Sequence, residues 1–395
     1  MALRIRPKRS RVVALAAAVA VLAATGIASA NGRWSSNDWP YNTTRQDVGQ
    51  SYTLATVGDI ACEPESGDAP AQLKCGSPDL GGIPAEYATA QQAYGMHPTL
   101  VALLGDEQYE VGKLSDFENS FENAWGGLRL LERPASGNHE YYAYTKHGDN
   151  EAAQNGTGYF AYFNGHDQAG TPNSRGQAGD DTEANQGWYS YDIGRWHVIS
   201  LNIECNSDPF HHDCNTTDAG LLAQETQWLQ NDLRTSHAQC TLAYWHQPTF
   251  SATTDGSNAA APGAGSAEGA AADAWWKLLY DAHASLVLNG HEHVYARFRP
   301  MDPNGRYDPR RGITQITVGT GGEDLDTLSK TGPSTYSNPN VVTGQDQAFG
   351  VMKLTLRPNG YSFAYTPALA GPGFGSSALN YSDSGSGTCH GHGED

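Results

Sequence analysis

Apolar runs that break off at a polar, metal-competent residue recur along this chain, and that recurrence limits the fold more than any other feature. Thr99 to Leu104 runs into Gly105-Asp106, with Tyr109 three residues further on. Thr53 to Val57 ends in Gly58-Asp59, and Pro134-Ala135-Ser136 ends in Gly137-Asn138-His139-Glu140. Leu242-Ala243-Tyr244-Trp245 ends in His246, and Ser285 to Leu288 ends in Asn289-Gly290-His291-Glu292-His293. Any one of these is weak, because many buried strands end in Gly-Asp. Together they put Asp, Asn and His at the ends of five strand-like runs, and these are oxygen and nitrogen donors for di- and trivalent cations. Ligands of open α/β sheets sit beyond the carboxyl ends of the strands. The pattern therefore predicts one metal centre assembled from five strand ends.

The chain of 395 residues starts with a basic stretch, Met1 to Arg11, then the alanine-rich apolar run Val12 to Ile27, then Ala28-Ser29-Ala30. That is the layout of a secretory signal peptide, so residues 1–30 are expected to be removed and the remainder exported. A retained membrane anchor is the alternative, but the apolar run is shorter than the ~20 residues a spanning helix needs. Without residues 1–30, 19 basic residues face 43 acidic ones, a formal charge of −24. Such a surface repels nucleic acid and anionic membranes unless positive charge is concentrated at one place, as bound metal would do. Neither is expected as a partner. The exported part holds six cysteines: Cys62, Cys75, Cys205, Cys214, Cys240 and Cys389. An even count in an exported chain points to disulfides. Short loop closure favours Cys62–Cys75 and Cys205–Cys214, which leaves Cys240–Cys389 to pin the tail. A free or metal-bound pair is the alternative.

Residues 31–50 are polar with Trp34 and Trp39, and read as a surface leader ahead of a domain at 51–370. Strands are predicted near 52–57, 99–104, 128–136, 196–203, 241–245, 285–288, 313–318, 349–356 and 361–366. The last two flank Asn359-Gly360, a strong hairpin signal. Helices are predicted over 84–94, 115–125, 221–233 and 274–284. In the second of these, Phe117, Phe121 and Trp125 share one face and read as core. Residues 62–82, 141–187 and 251–272 read as loops, and 371–395 as a Gly/Ser-rich tail. Strands alternating with helices and closing on a hairpin give an α/β (α+β) chain. It has either one mixed sheet or two sheets packed face to face between helix layers.

Taken in order, the set is Gly58-Asp59-x-Ala61, Gly105-Asp106-x-x-Tyr109, Gly137-Asn138-His139-Glu140, His246 and Gly290-His291-x-His293. From about Leu54 to Tyr365 the chain resembles the calcineurin-like metallophosphoesterases, and within them the purple acid phosphatases. Gly319-Thr320-Gly321-Gly322 and Ala348-Phe349-Gly350 resemble that family's late segments. The resemblance implies a four-layer α/β/β/α sandwich with the metals at strand carboxyl ends. It implies a first site of Asp59, Asp106, Tyr109 and His293, and a second of Asp106, Asn138, His246 and His291, with Asp106 bridging. Most of the wider family has Asp-x-His in the first motif. Here Ala61 replaces that histidine, where the purple acid phosphatases usually have glycine. Tyr109 supplies a phenolate, a hard anionic oxygen suited to iron(III). The neutral amide of Asn138 suits a divalent ion such as iron, zinc or manganese.

His139 resembles the family's substrate-facing histidine, and with Asn138 it is expected to contact phosphate and to protonate the leaving group. Support of Asp106 is its alternative role. Glu140 is expected to be structural, Glu292 to point away from the metals, and Tyr295 and Arg297 to buttress the His291–His293 loop. His211, His212, His390 and His392 read as solvated surface residues, and Asn42, Asn155, Asn215 and Asn380 fit the glycosylation sequon. The function this implies is a secreted binuclear-metal phosphohydrolase acting on phosphate esters, most simply an acid phosphatase-type phosphomonoesterase using a metal-bound hydroxide. A phosphodiesterase or cyclic-nucleotide hydrolase with the same centre is the alternative. A metal-binding surface protein without turnover is the reading from a different class.

Overall fold

Alternating residues of the central strands feed two different cores. In β6 (Cys240–Tyr244) and the residue after it, Leu242 and Tyr244 pack into one apolar cluster, while Ala243 and Trp245 pack into another. That is the period of two expected of a strand covered on both faces. The computed structural model describes residues 49–63, 84–141, 156–165, 178, 186–204, 220–254, 266–368 and 380–391.

One sheet has six strands. Its centre is β1 (Tyr52–Val57) and β2 (Leu100–Leu104), with β3 (Glu132–Ala135) at one edge. These three run parallel. The other edge holds β13 (Gly350–Arg357), β14 (Gly360–Pro367) and β15 (Asp383–Thr388), all antiparallel to their neighbours. A second sheet has seven strands. Its parallel centre is β5 (Trp196–Ser200), β6, β7 (Leu286–Asn289) and β9 (Thr314–Val318). Antiparallel β4 (Tyr189–Ile193), β8 (Tyr295–Phe298) and β12 (Val341–Gln345) complete it. The strands β10 (Lys330–Gly332) and β11 (Thr335–Tyr336) form a separate small hairpin.

The sheets meet through Leu54, Leu100, Leu104, Leu242, Leu288 and Met352, all fully buried. On its outer face the six-stranded sheet packs Val57, Leu103 and Val351 against Ala90 and Ala93 of the helix Ala85–Gly95. Phe117, Phe121 and Trp125 pack into the same layer. The seven-stranded sheet packs Ile199 and Val287 against Leu229 of the helix Leu221–Thr235 and Trp275 of the helix Ala267–Asp281. The result is the expected α/β/β/α order of layers.

Several boundaries differ from the sequence reading. The helix expected at 274–284 begins seven residues earlier, at Ala267, inside the stretch read as a loop. Ser266 caps it, its Oγ accepting from Gly269 N at 2.9 Å, and alanine is the best helix former. The helix expected at 115–125 keeps its three aromatics on one buried face, but Phe117–Phe121 is a π-turn. Residues 126–131 are a 3-10 turn, so β3 is shorter than the run that suggested it. Part of the long polar stretch 141–187 is helical, over Thr157–Phe160 and Ala161–Gly165, and its Tyr159, Phe160, Tyr162 and Phe163 enter the outer core.

The tail is more than a loop. Its residues Asp383–Thr388 form the edge strand β15, and the disulfide Cys240–Cys389 joins it to β6 as expected. His390 is half-buried rather than solvated, with Nε2 3.0 Å from Gly312 O. Cys62 is buried, while Cys75, Cys205 and Cys214 lie outside the described residues, as do residues 1–48, His211, His212 and His392. No helix among the described residues is long and apolar enough to cross a membrane.

Candidate metal centre

Past the last residue of β1 the chain stays zipped to the segment that follows β2. Asp59 N donates to Gly105 O at 3.0 Å, Ile60 N to Asp106 O at 2.9 Å and Ala61 N to Glu107 O at 3.0 Å. Tyr109 N then donates back to Ala61 O at 2.8 Å, so position 61 serves Tyr109 through its backbone. The glycines ahead of the donors are fixed by space. A Cβ on Gly105 would lie 2.4 Å from His246 Nδ1, and one on Gly137 would lie 2.2 Å from Asp106 Oδ1. Gly105 also has φ +91°, a region glycine enters without strain. Asp59, Asp106 and His291 hold positive φ of 62°, 50° and 67°. Non-glycine residues seldom adopt such angles outside sites where geometry matters more than local stability.

These turns bring all seven expected donors together. Tyr109 Oη lies 3.1 Å from Asp59 Oδ1, 3.1 Å from Asp106 Oδ2 and 3.0 Å from His293 Nε2. His293 Nε2 is 3.3 Å from Asp59 Oδ1. On the other side of Asp106, its Oδ2 is 3.1 Å from His246 Nε2. Asn138 Oδ1 sits 3.0 Å from both His246 Nε2 and His291 Nδ1. Asp106, His246 and His291 offer atoms that all fall within 4.8 Å of one another. The two expected half-sites thus share Asp106.

The arrangement suits cations. The Tyr109 hydroxyl has one hydrogen, which cannot satisfy three close neighbours at once. Nε2 of His291 is buried with no hydrogen-bond partner among the described residues. Burial opposes charge on His246, yet the Asp106 carboxylate beside it raises its pKa to about 10. His293 is raised to about 10 in the same way, burial being outweighed by Asp59. Burial, then the like charge of His246, lowers His291 to about 4. Burial works against ionised Asp106 too, but His246 and His139 hold its carboxyl well below the usual range. Carboxylates that push two neighbouring imidazoles upward in this way call for positive charge, the kind metal ions would bring.

Supporting groups fix the donors, as is usual around metal ligands. His246 Nδ1 is 2.9 Å from Leu104 O and His293 Nδ1 is 2.6 Å from Asp324 O. His291 N donates to Asp59 Oδ2 at 2.9 Å, and His293 N to Asp326 Oδ2 at 2.9 Å. The sequence reading missed Asp324 and Asp326, although an acidic run directly behind Gly321-Gly322 was a usable signal. The glycine segment itself backs Asp59: Gly321 N donates to Gly58 O at 3.0 Å, and Gly350 N to Thr320 O at 2.9 Å. Glu140 is structural, accepting from Gly137 N at 2.8 Å and Gln108 N at 3.2 Å, which ties the second motif to the third. Glu292 turns away and accepts from Ala252 N at 2.9 Å.

His139 N donates to Asp106 Oδ1 at 2.9 Å, and its Nδ1 is 2.7 Å from Glu110 O. That leaves Nε2 3.9 Å from Asp106 Oδ2, with the ring centroid 4.1 Å from that of Tyr109. Burial lowers its pKa to about 4, against the upward pull of Asp106. Tyr295 and Arg297 do not reach the His291–His293 loop. Their side chains take Asp383 of the tail strand, Tyr295 Oη at 2.8 Å and Arg297 Nε at 2.7 Å, because β8 carries them toward the edge strand of the facing sheet.

The calcineurin-like phosphoesterase family profile matches residues 75–295, which contain every donor except Asp59. Uncharacterized protein Rv2577 of Mycobacterium tuberculosis is 28% identical over 237 residues, 53% of this chain and 38% of that protein. Purple acid phosphatase 21 of Arabidopsis thaliana is 32% identical over 142 residues, 34% of this chain and 26% of that protein. The chain therefore spans well under half the length of these relatives. The solved structure of purple acid phosphatase PPD1 from yellow lupin (Lupinus luteus) seeds shares the fold, with a TM-score of 0.56 at 16% identity over 87% of this chain and 54% of that one. The family profile covers more than half of its length, so the chain belongs to the calcineurin-like phosphoesterase family.

Proposed function

We propose that the chain is a binuclear-metal phosphohydrolase of the acid phosphatase type, acting on phosphate monoesters after export and removal of residues 1–30. Residues 51–370 form the catalytic domain, and the tail strand closes its edge. The observation that carries this reading is the Tyr109 hydroxyl held between the carboxylates of Asp59 and Asp106. A phenolate there favours iron(III) with Asp59, Asp106 and His293, and leaves Asp106, Asn138, His246 and His291 for a divalent ion. When bound, such ions neutralise phosphate oxygens and acidify water at the site. The chain's own residues do the rest. Asn138 and His139 hold the phosphate, and the imidazole Nε2 of His139 faces the leaving oxygen while its Nδ1 stays on Glu110 O.

The test is the metal content and colour of the purified protein, together with Asp106→Asn. Bound iron with a visible tyrosinate absorption is expected, and Asp106→Asn should remove p-nitrophenyl phosphate hydrolysis with the fold intact. A colourless protein holding stoichiometric zinc or manganese sinks the iron(III) assignment. Unchanged hydrolysis by Asp106→Asn sinks the centre itself.

A further inference from the structure

Positive charge on this acidic chain is gathered at one place remote from the centre. Residues 297–311 hold five of the 19 basic residues beyond position 30, and all five are arginine. Arg297 is spent on Asp383. Arg299 donates to Pro339 O, and its guanidinium lies 5.4 Å from the centroid of the Tyr307 ring. Arg311 lies over Tyr280 at 4.8 Å. Arg306 and Arg310 are exposed, and their side chains have no partner among the described residues. Tyr307 between them is 56% exposed.

The loop is rigid. Asp302 Oδ1 accepts from Asn304 N at 2.8 Å and Arg306 N at 2.9 Å, and Asp308 Oδ1 accepts from Arg310 N at 3.0 Å. Both acidic residues thus accept the turn N–H groups, and Asp308 also feels the charge of Arg311. Asp308 Oδ2 takes the Tyr280 hydroxyl at 2.7 Å, fixing the loop to the end of the helix Ala267–Asp281. That helix end also lines an open cleft of about 710 Å³ with Arg234, His237 and His283. The loop joins β8 to β9, whose other ends carry His293 and the glycines behind Asp59, so it lies roughly a strand length, about 15 Å, from the centre.

We propose that this arginine loop is a binding surface for a linear, flexible polymer bearing closely spaced phosphate groups. Exposed guanidinium groups on a hydrogen-bonded loop are the side chains that take phosphate bidentately. The formal charge of −24 repels a broad anionic surface such as a membrane, whereas a thin chain touches the loop and stays a Debye length, about 8 to 10 Å, from most of that charge. The choice of phosphate over carboxylate rests on the phosphohydrolase reading, since a polymer held here raises the local concentration of phosphate groups around the site.

The experiment measures anisotropy of fluorescein-labelled inorganic polyphosphate with the full chain over a salt series, for the wild type and Arg306→Gln/Arg310→Gln. Binding is expected to weaken at least tenfold in the double variant, and the slope of log Kd against log salt to fall by roughly one to two. Hydrolysis of p-nitrophenyl phosphate and Tm should not change. Equal affinity of the two proteins overturns the proposal. So does displacement of polyphosphate by poly-L-glutamate at equal charge, or capture by phosphatidylglycerol vesicles without polyphosphate binding. Failure of the wild type to hydrolyse p-nitrophenyl phosphate tells against the phosphohydrolase reading alone, because anisotropy still reports on the loop.

Discussion

Tyr109 and His139 pack ring on ring at a tilt of 52°, yet they answer to different tests. The Tyr109 oxygen is one of three groups around Asp59 Oδ1, so Tyr109→Phe should keep its packing and lose the visible absorption. Iron content and activity should fall with the colour, read by elemental analysis and p-nitrophenyl phosphate turnover. Colour retained in Tyr109→Phe would place the chromophore elsewhere. His139 Nε2 lies 3.9 Å from Asp106 Oδ2, and its ring packs against that of Tyr109. His139→Ala should leave both metals bound and lower kcat by roughly 10²- to 10⁴-fold, the range for loss of a positioned acid–base group. Loss of metal along with activity would instead assign His139 to support of Asp106, to which its backbone N–H already donates.

Between elements, one imidazole ties three together. His197 on β5 places Nδ1 2.7 Å from Asp192 Oδ1 on β4 and Nε2 2.6 Å from Asp232 Oδ2 on the helix Leu221–Thr235. Burial disfavours its charge, but the two carboxylates win and raise its pKa to about 9. A folded-state pKa above the unfolded value of ~6.5 stabilises fully below that value and is lost as pH rises through about 9. The shift corresponds to at most about 3 kcal/mol, and to less once solvent screening of the exposed Asp192 is counted. Wild-type stability in urea should thus decline between pH 6.5 and 9 more than that of His197→Gln. Parallel curves for the two proteins would show that the imidazole is not charged in the fold. No motif announced this residue, because its partners come from a strand and a helix on either side of it in sequence.

At the scale of the whole molecule, the tail closes the six-stranded sheet and is held by two unlike devices. Cys240–Cys389 spans 149 residues, and Asp383 of β15 binds Arg297 and Tyr295 of the opposite sheet. A cross-link over so long a loop restricts the unfolded chain strongly, and removing it typically costs about 2 to 5 kcal/mol. Cys240→Ser/Cys389→Ser should lower Tm by several degrees and speed proteolysis at β15, with the metal content unchanged. If the metals leave with the disulfide, the tail and the centre form one cooperative unit. The expected pairing was legible because two short loops accounted for the other four cysteines, whereas the strand was not, since Asp-Ser-Gly-Ser-Gly-Thr lacks the branched residues that mark strands.

The amino-acid order by itself marked the candidate donors and the layers. Each candidate donor follows an apolar run, and period-two burial on both faces of those runs leaves their ends as places where polar side chains can gather. It also determined that glycine precedes Asp106 and Asn138, although the reason is spatial: His246 and Asp106 occupy the room a Cβ would need. Tertiary structure alone decided that Asp324 and Asp326 brace His293, and that Tyr295 and Arg297 serve the tail instead of the site. Those contacts join residues from 31 to 88 positions apart. Local propensity and spacing carry no information at that range, and only the packing of the two sheets brings the partners within hydrogen-bond reach.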